Sequence, residues 1–225
     1  MKRCDLRRDL CFRCLKARSI CYCSRIRRFA PRTRFVILQH PLERKRTVGS
    51  ARMAHLCMED SLLIPGAGFE GNRQVDELIA DPAHFCVVLY PGKQALLLES
   101  GMGPERVAQT FGAPEGRRLV IFVIDGTWHN AKTMLRRSPG LLRLPQVCFA
   151  TGRVSEYQFR EQPAPHCLST LESIHHVLEL IEPGTDASIL LDLFRGMVAE
   201  QLEFAKLNLI RLPRYPLPAG TVRVR

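Results

Sequence analysis

Four of the nine cysteines in this 225-residue chain fall in two close pairs, Cys11-x-x-Cys14 and Cys21-x-Cys23. Two short loops of this kind can each offer two thiolates to one ion, and four soft sulfur ligands in a tetrahedron suit structural zinc. The spacing therefore predicts Zn²⁺ held by Cys11, Cys14, Cys21 and Cys23, in a closed site with no open position for a catalytic water. The cysteine count is odd, and the basic N-terminus runs into cysteine and arginine rather than an apolar stretch. Both features argue for thiols and metal over a disulfide framework and lead us to expect a cytoplasmic protein. Cys57, Cys86 and Cys148 lack ligand-like spacing and are expected to be small core residues.

A second group of chemically useful residues is Asp125-Gly126-Thr127-Trp128, which follows the most apolar run in the chain, Leu119-Val-Ile-Phe-Val-Ile124. An acid and the only tryptophan at the carboxyl end of a strand offer a proton acceptor and a stacking surface, as a nucleobase would need. The same four residues also fit a plain turn, with Gly126 supplying a positive φ and Thr127 capping the next helix. Further on, Ser169-Thr170-Leu171-Glu172 has the form of a capping box opening an apolar helix. The start of such a helix presents N–H groups that can hold an anion such as a carboxylate.

Charge points to the partner. The first 52 residues hold sixteen Lys or Arg against Asp5, Asp9 and Glu43, a local charge of +13, while the remaining 173 residues sum to −2. A basic, cysteine-bearing head on a near-neutral body implies a polyanion, RNA or DNA, docked at one end. Arg25, Arg27 and Arg28 behind the cysteines, and Arg44, Lys45 and Arg46 behind His40, are candidates for phosphate contact, and Arg160 is a candidate for phosphate or carboxylate. With 46% hydrophobic and 24% charged residues, the chain is not disordered, and it contains no apolar run of the roughly 18 residues needed to span a membrane.

The elements that must position these groups alternate. Apolar runs at Arg34–Gln39, Ser61–Ile64, Phe85–Tyr90 and Leu119–Ile124 read as strands, closed by His40-Pro41, Pro65-Gly66, Pro91-Gly92 and Asp125-Gly126. Helical patterns fall at Arg46–Met58, Asn72–Ala80, Pro104–Gln109, Thr127–Arg137, Ser169–Ile181 and Ala187–Leu207. The alternation predicts an α/β fold with a mostly parallel sheet and ligands beyond the carboxyl ends of the strands. We expect a basic zinc knuckle over residues 1–32 and an α/β catalytic domain over 33–225. Gly66-Ala-Gly68-Phe-Glu-Gly71 matches a dinucleotide fingerprint, but Tyr90-Pro91-Gly92 stands where its ribose-binding acid should be, so no nicotinamide or flavin site is expected.

Together these stations resemble the DTW-domain family. The resemblance rests on Asp125-Gly-Thr-Trp128, the cysteine string, Gln39-His40-Pro41 with Glu43, Leu89-Tyr90-Pro91-Gly92, Tyr157-x-x-Arg160-x-x-Pro163 and Ser169-Thr170-Leu171-Glu172, in that family's order. The family is similar to tRNA-uridine aminocarboxypropyltransferases, which move the 3-amino-3-carboxypropyl group of S-adenosylmethionine to N3 of a tRNA uridine; the bacterial type acts on uridine 47 in the variable loop. The resemblance implies a fold related to the SPOUT methyltransferases, with a trefoil knot holding the S-adenosylmethionine. It places Asp125 and Trp128 in catalysis and Tyr90, Pro91, Gly92, Asp125, Gly126, Thr127, Leu168, Ser169, Thr170 and Glu172 around that cosubstrate. Arg25, Arg27, Arg28, His40, Arg44, Lys45 and Arg160 are then expected to face tRNA, and no obligate protein partner is evident. Two alternatives stay open: a zinc-dependent RNA-binding protein without catalysis, and a SPOUT-like RNA methyltransferase.

Overall fold

The computed structural model describes residues 10–44, 49–156 and 167–206. Six strands, β1 (Arg34–Gln39), β2 (Leu62–Pro65), β3 (His84–Leu89), β4 (Leu96–Leu97), β5 (Arg118–Asp125) and β6 (Gln146–Cys148), form one sheet in the order β2-β1-β5-β3-β6-β4. Every pairing in it is parallel, so the sheet is wholly rather than mostly parallel. The carboxyl ends of all strands therefore share one edge.

The strand with the longest apolar run, β5, sits between β1 and β3, with Leu38 opposite Ile124 and Gln39 opposite Asp125. It is covered on both faces, as a continuous apolar run in a parallel sheet requires. Leu119, Ile121 and Val123 join a core with α2 (Ser50–Cys57), α4 (Pro104–Thr110), α7 (Thr170–Ile181) and α8 (Ser188–Lys206). Val120 and Phe122 face a second core with α3 (Arg73–Ala80), α5 (Trp128–Arg136) and α6 (Pro139–Leu142). A short α1 (Pro41–Arg44) leads off β1. No helix among the described residues is long and apolar enough to cross a membrane.

Two strands were not expected from the sequence, β4 and β6, because two or three residues carry no readable alternation. They create the least simple connection of the fold. The later strand β6 lies between β3 and β4, with Leu89 and Leu96 both opposite Val147. Residues 90–95 must therefore pass across β6. Tyr90 N–H donates to the Val147 carbonyl at 2.9 Å, and Gly92 comes so close to Gln146 that a Cβ would stand 1.7 Å from its Oε1. Glycine is needed here for close approach, not for a left-handed φ.

The cysteine-bearing head is packed onto the body. Cys14 and Tyr22 are buried in the same core as α2, α7 and α8. Arg25 pairs with Glu200 at 2.9 Å and Arg27 with Asp192 at 2.8 Å, both on α8. Just before β1, the buried Glu182 at the end of α7 accepts the N–H groups of Arg32 at 2.9 Å and Thr33 at 2.6 Å. This carboxylate joins the head, β1 and α7. In Glu182→Gln one of the two N–H donors meets an amide NH₂ and goes unpaired, which is expected to cost about 1–3 kcal/mol. Urea unfolding of the two proteins measures this, with the midpoint falling and the slope unchanged.

Candidate active site and metal centre

Asp125 ends β5 and is 4% exposed. Its Oδ2 accepts from Gln39 Nε2 at 2.9 Å and its Oδ1 from Thr170 Oγ1 at 2.6 Å. The carboxylate thus holds the end of β1 on one side and the first turn of α7 on the other. Both donors are neutral, and no cation contacts Asp125 among the described residues. A buried anion without a counter-charge is costly unless hydrogen bonds compensate it, and each oxygen keeps acceptor capacity beyond its one bond here.

The residues after Asp125 turn into α5. Thr127 is the N-cap, as expected, its hydroxyl accepting Asn130 N–H at 3.2 Å. Gly126 does not have the positive φ expected of it. A Cβ here would stand 3.3 Å from Asn130 Cβ, a tight contact, and 3.6 Å from His40 Cβ, an ordinary one, so the constraint on this position is close packing rather than φ. That close approach sets His40 beside α5, where Nδ1 meets Leu42 N–H at 3.3 Å and Asn130 Nδ2 at 3.4 Å. A backbone N–H can only donate, so Nδ1 is the acceptor and the neutral ring carries its proton on Nε2. Trp128 is 47% exposed at the start of α5 and lies tilted against Tyr90, with ring centroids 6.4 Å apart. Pro91 is exposed and Gly92 half-buried beside them.

The capping box is present: Ser169 Oγ accepts Glu172 N–H at 3.4 Å, and Glu172 Oε2 accepts Ser169 N–H at 2.7 Å. Glu172 does more than cap. Its Oε2 also accepts from Ser155 Oγ at 2.7 Å and its Oε1 from Glu156 N–H at 2.6 Å, so the segment leaving β6 is tied to the start of α7. Beside this junction lies a cavity of about 330 Å³ lined by Leu168 and Glu172 together with Arg153, His175 and Arg195. Arg153 pairs there with Glu179, and Arg195 pairs with Glu156 through both its Nε and Nη2. Burial holds the His175 imidazole below its ordinary pKa.

The four head cysteines come together. Their sulfurs lie within 4.8 Å of one another, with Cys11–Cys23 and Cys14–Cys21 each at 3.6 Å. A tetrahedral ion with sulfur at about 2.3 Å would separate its ligands by about 3.8 Å, so the cluster can hold one metal ion. The N–H groups of Cys14 and Arg13 draw the Cys11 thiol down to about 6, while burial pushes Cys14 and Cys23 up. A bound cation would favour the thiolate forms of Cys14 and Cys23, which burial alone disfavours.

The expected RNA-facing residues separate. Arg25 and Arg27 are partly neutralised by α8, as their ion pairs with Glu200 and Asp192 show. Arg28 and Arg44 are exposed, and His40 is half-buried at the sheet edge with Asp125. Lys45 and Arg160 lie outside the described residues, as do Arg46 and Tyr157. Sequence reasoning placed Gln39 in a motif without giving it a role, and it missed Asn130 and Ser155 as partners of the site. Gln39 had a signal, a lone amide ending an apolar strand; Asn130 and Ser155 had none.

The DTW domain matches residues 8–202, including the cysteine string. The chain is 31% identical to tRNA-uridine aminocarboxypropyltransferase 2 of Drosophila melanogaster, over 95% of this chain and 86% of that protein. It is 30% identical to the Mus musculus protein of the same name, over 94% and 72%, and 24% identical to tRNA-uridine aminocarboxypropyltransferase A of Arabidopsis thaliana, over 89% and 83%. No solved structure matches it. With Asp125-Gly-Thr-Trp128 at the edge where β1, β5 and α7 meet, and with the match spanning most of its length, the chain belongs to the DTW-domain family.

Proposed function

We propose that this protein transfers the 3-amino-3-carboxypropyl group of S-adenosylmethionine to N3 of a tRNA uridine, giving acp3U, with the variable-loop uridine as target. The observation that carries the reading is the meeting of the family's motifs at one sheet edge. Tyr90 touches Trp128, Asp125 holds Thr170, and His40 adjoins Gly126, in a chain whose relatives are named for this reaction.

The reaction joins uridine N3 to the γ-carbon of the methionine chain. The bond from that carbon to sulfur breaks, its electron pair leaves with methylthioadenosine, and the N3 proton must go elsewhere. Asp125 orients N3–H and accepts its proton, using acceptor capacity left beside the Gln39 and Thr170 bonds. Its negative charge also favours the cationic sulfonium in a buried setting. Which of the three sulfonium carbons reacts is decided by alignment with the nucleophile, so the rigidity given by Gln39, Thr170 and Glu172 bears on the outcome. Trp128 stacks a base, and His40 offers Nε2–H toward RNA. Tyr90, Pro91, Gly92, Gly126, Thr127 and Leu168 enclose the cosubstrate, and the first turn of α7, from Ser169 and Thr170 to Glu172, favours its carboxylate.

We also read the cosubstrate site as SPOUT-like and knotted, supported by the passage of residues 90–95 across the later strand β6. Arg28 and Arg44, with Lys45 and Arg160, complete the surface for tRNA, and we assign the protein to the cytoplasm. The head is read as a zinc knuckle, the chemistry of four thiolates being that of structural zinc. Purified protein is expected to carry one Zn²⁺ per chain by elemental analysis, and Cys21→Ala/Cys23→Ala to lose it and melt earlier.

The reaction itself is tested by supplying tRNA with S-adenosylmethionine labelled either in its methyl group or in its aminocarboxypropyl carbons. The expected result is label in tRNA from the second donor only, with methylthioadenosine released. Methyl label alone would make the protein a methyltransferase. Binding of tRNA with neither label would make it a non-catalytic RNA-binding protein.

A further inference from the structure

The head presents one side chain that its own fold does not use. Leu10 and Ala17 form an antiparallel bridge, Cys11 N–H donates to the Lys16 carbonyl at 2.7 Å, and Leu15 N–H donates to the Cys11 carbonyl at 2.8 Å. Leu15 takes a left-handed φ of 60° to close this turn. Residues 12–15 are therefore the tip of a small hairpin, fixed by backbone bonds and by two sulfurs of the metal cluster. Cys14 turns inward and is buried, whereas Phe12 is 91% exposed. Leu10 and Leu15 are exposed beside it, and so is Arg13.

An aromatic ring held out on a rigid turn is presented at little further cost in ordering, which suits a stacking platform. The charge around it selects the occupant. Arg25, Arg27 and Arg32 each pair with an acid of the body, Glu200, Asp192 and Glu105, but Arg13 makes no ion pair among the described residues. Among the described residues, an unpaired guanidinium and an exposed ring thus coincide at the tip, and the first 52 residues of the chain carry sixteen basic side chains against three acids. A protein partner would need an apolar patch several times larger than one ring and two leucines, since a stable interface buries about 800 Å² on each side.

We propose that Phe12 is a docking point for tRNA: an unpaired base stacks on its ring and the adjoining phosphate meets Arg13. This rests on the tRNA reading above and adds to it a contact outside the Asp125 edge. Substrate choice then depends on an unpaired nucleotide within reach of the knuckle as well as on the target uridine.

The test uses the full chain with its metal bound, an unmodified tRNA transcript and fluorescence anisotropy over a range of salt. Phe12→Ala is expected to weaken binding by about 5- to 150-fold with the log–log salt slope unchanged, because stacking releases no counterions. Phe12→Trp restores wild-type affinity. Arg13→Ala makes the slope shallower by about 0.7 to 0.9, one phosphate contact. Zinc content should be equal in all four proteins, since Phe12 supports no packing. Binding by Phe12→Ala within a factor of about two of wild type, or a loss that Trp does not rescue, would overturn the inference. Wild-type protein that fails to bind tRNA overturns the functional reading along with it, whereas normal wild-type binding with an unaffected Phe12→Ala overturns the stacking site alone.

Discussion

The hydrogen bonds of one buried carboxylate organise the rest of the site. Asp125 stands at the end of the central strand and takes Gln39 Nε2 and Thr170 Oγ1 on its two oxygens. These donors come from sequence positions 86 and 45 residues away, so a single side chain sets where β1 ends and where α7 begins. Glu172 extends the arrangement by fastening Ser155 and Glu156 to the same turn of α7. Two buried acids therefore hold four separate stretches of chain at the edge where a ligand would bind. In a low-dielectric setting such bonds are stiff and expensive to break, which suits a reaction whose outcome depends on which carbon lies in line with a nucleophile.

A second set of interactions keeps the basic head in place without using up its charge. The head is anchored by burial of Cys14 and Tyr22, by the Glu182 bonds to Arg32 and Thr33, and by exposed ion pairs to α8. Exposed pairs contribute little stability individually, commonly under about 1 kcal/mol. Their larger effect is on charge: Arg25 and Arg27, which face the body, are partly neutralised, whereas Arg13 at the hairpin tip makes no ion pair among the described residues. The cysteine cluster, the tip and the α8 contacts thus pack against the α/β body rather than forming a tethered appendage.

Much of this was readable in the sequence where the signal is local. The apolar run Leu119–Ile124 marks β5 to within a residue at each end, Arg34–Gln39 is β1, and Ser169 with Glu172 announces the cap found at α7. The cysteine spacing anticipates a cluster that the fold does assemble. What escaped the sequence is non-local or short. The strands β4 and β6 are too brief to alternate, and the insertion of β6 between β3 and β4 is a matter of topology that no window can reveal. The partners of Arg25 and Arg27 lie 175 and 165 residues away, so charge alone could not tell an RNA contact from an ion pair within the chain. Gly126 shows the same limit at small scale: a turn glycine suggests unusual φ, but here φ is not positive and the constraint is the close approach of Asn130.

The central claim is that the charge of Asp125, and not only its shape, serves the reaction. Asparagine at this position can keep both neighbours, because the Gln39 amide can turn its oxygen inward and the Thr170 hydroxyl can accept as well as donate. The direct measurement is the single-turnover rate of Asp125→Asn at saturating tRNA and S-adenosylmethionine, taken beside its melting curve. The account predicts a fall in rate of about 10² to 10⁴-fold, the usual contribution of a general base, in a protein that remains folded at the assay temperature. A mutant that modifies tRNA at close to the wild-type rate while melting earlier would contradict it and leave Asp125 a structural joint.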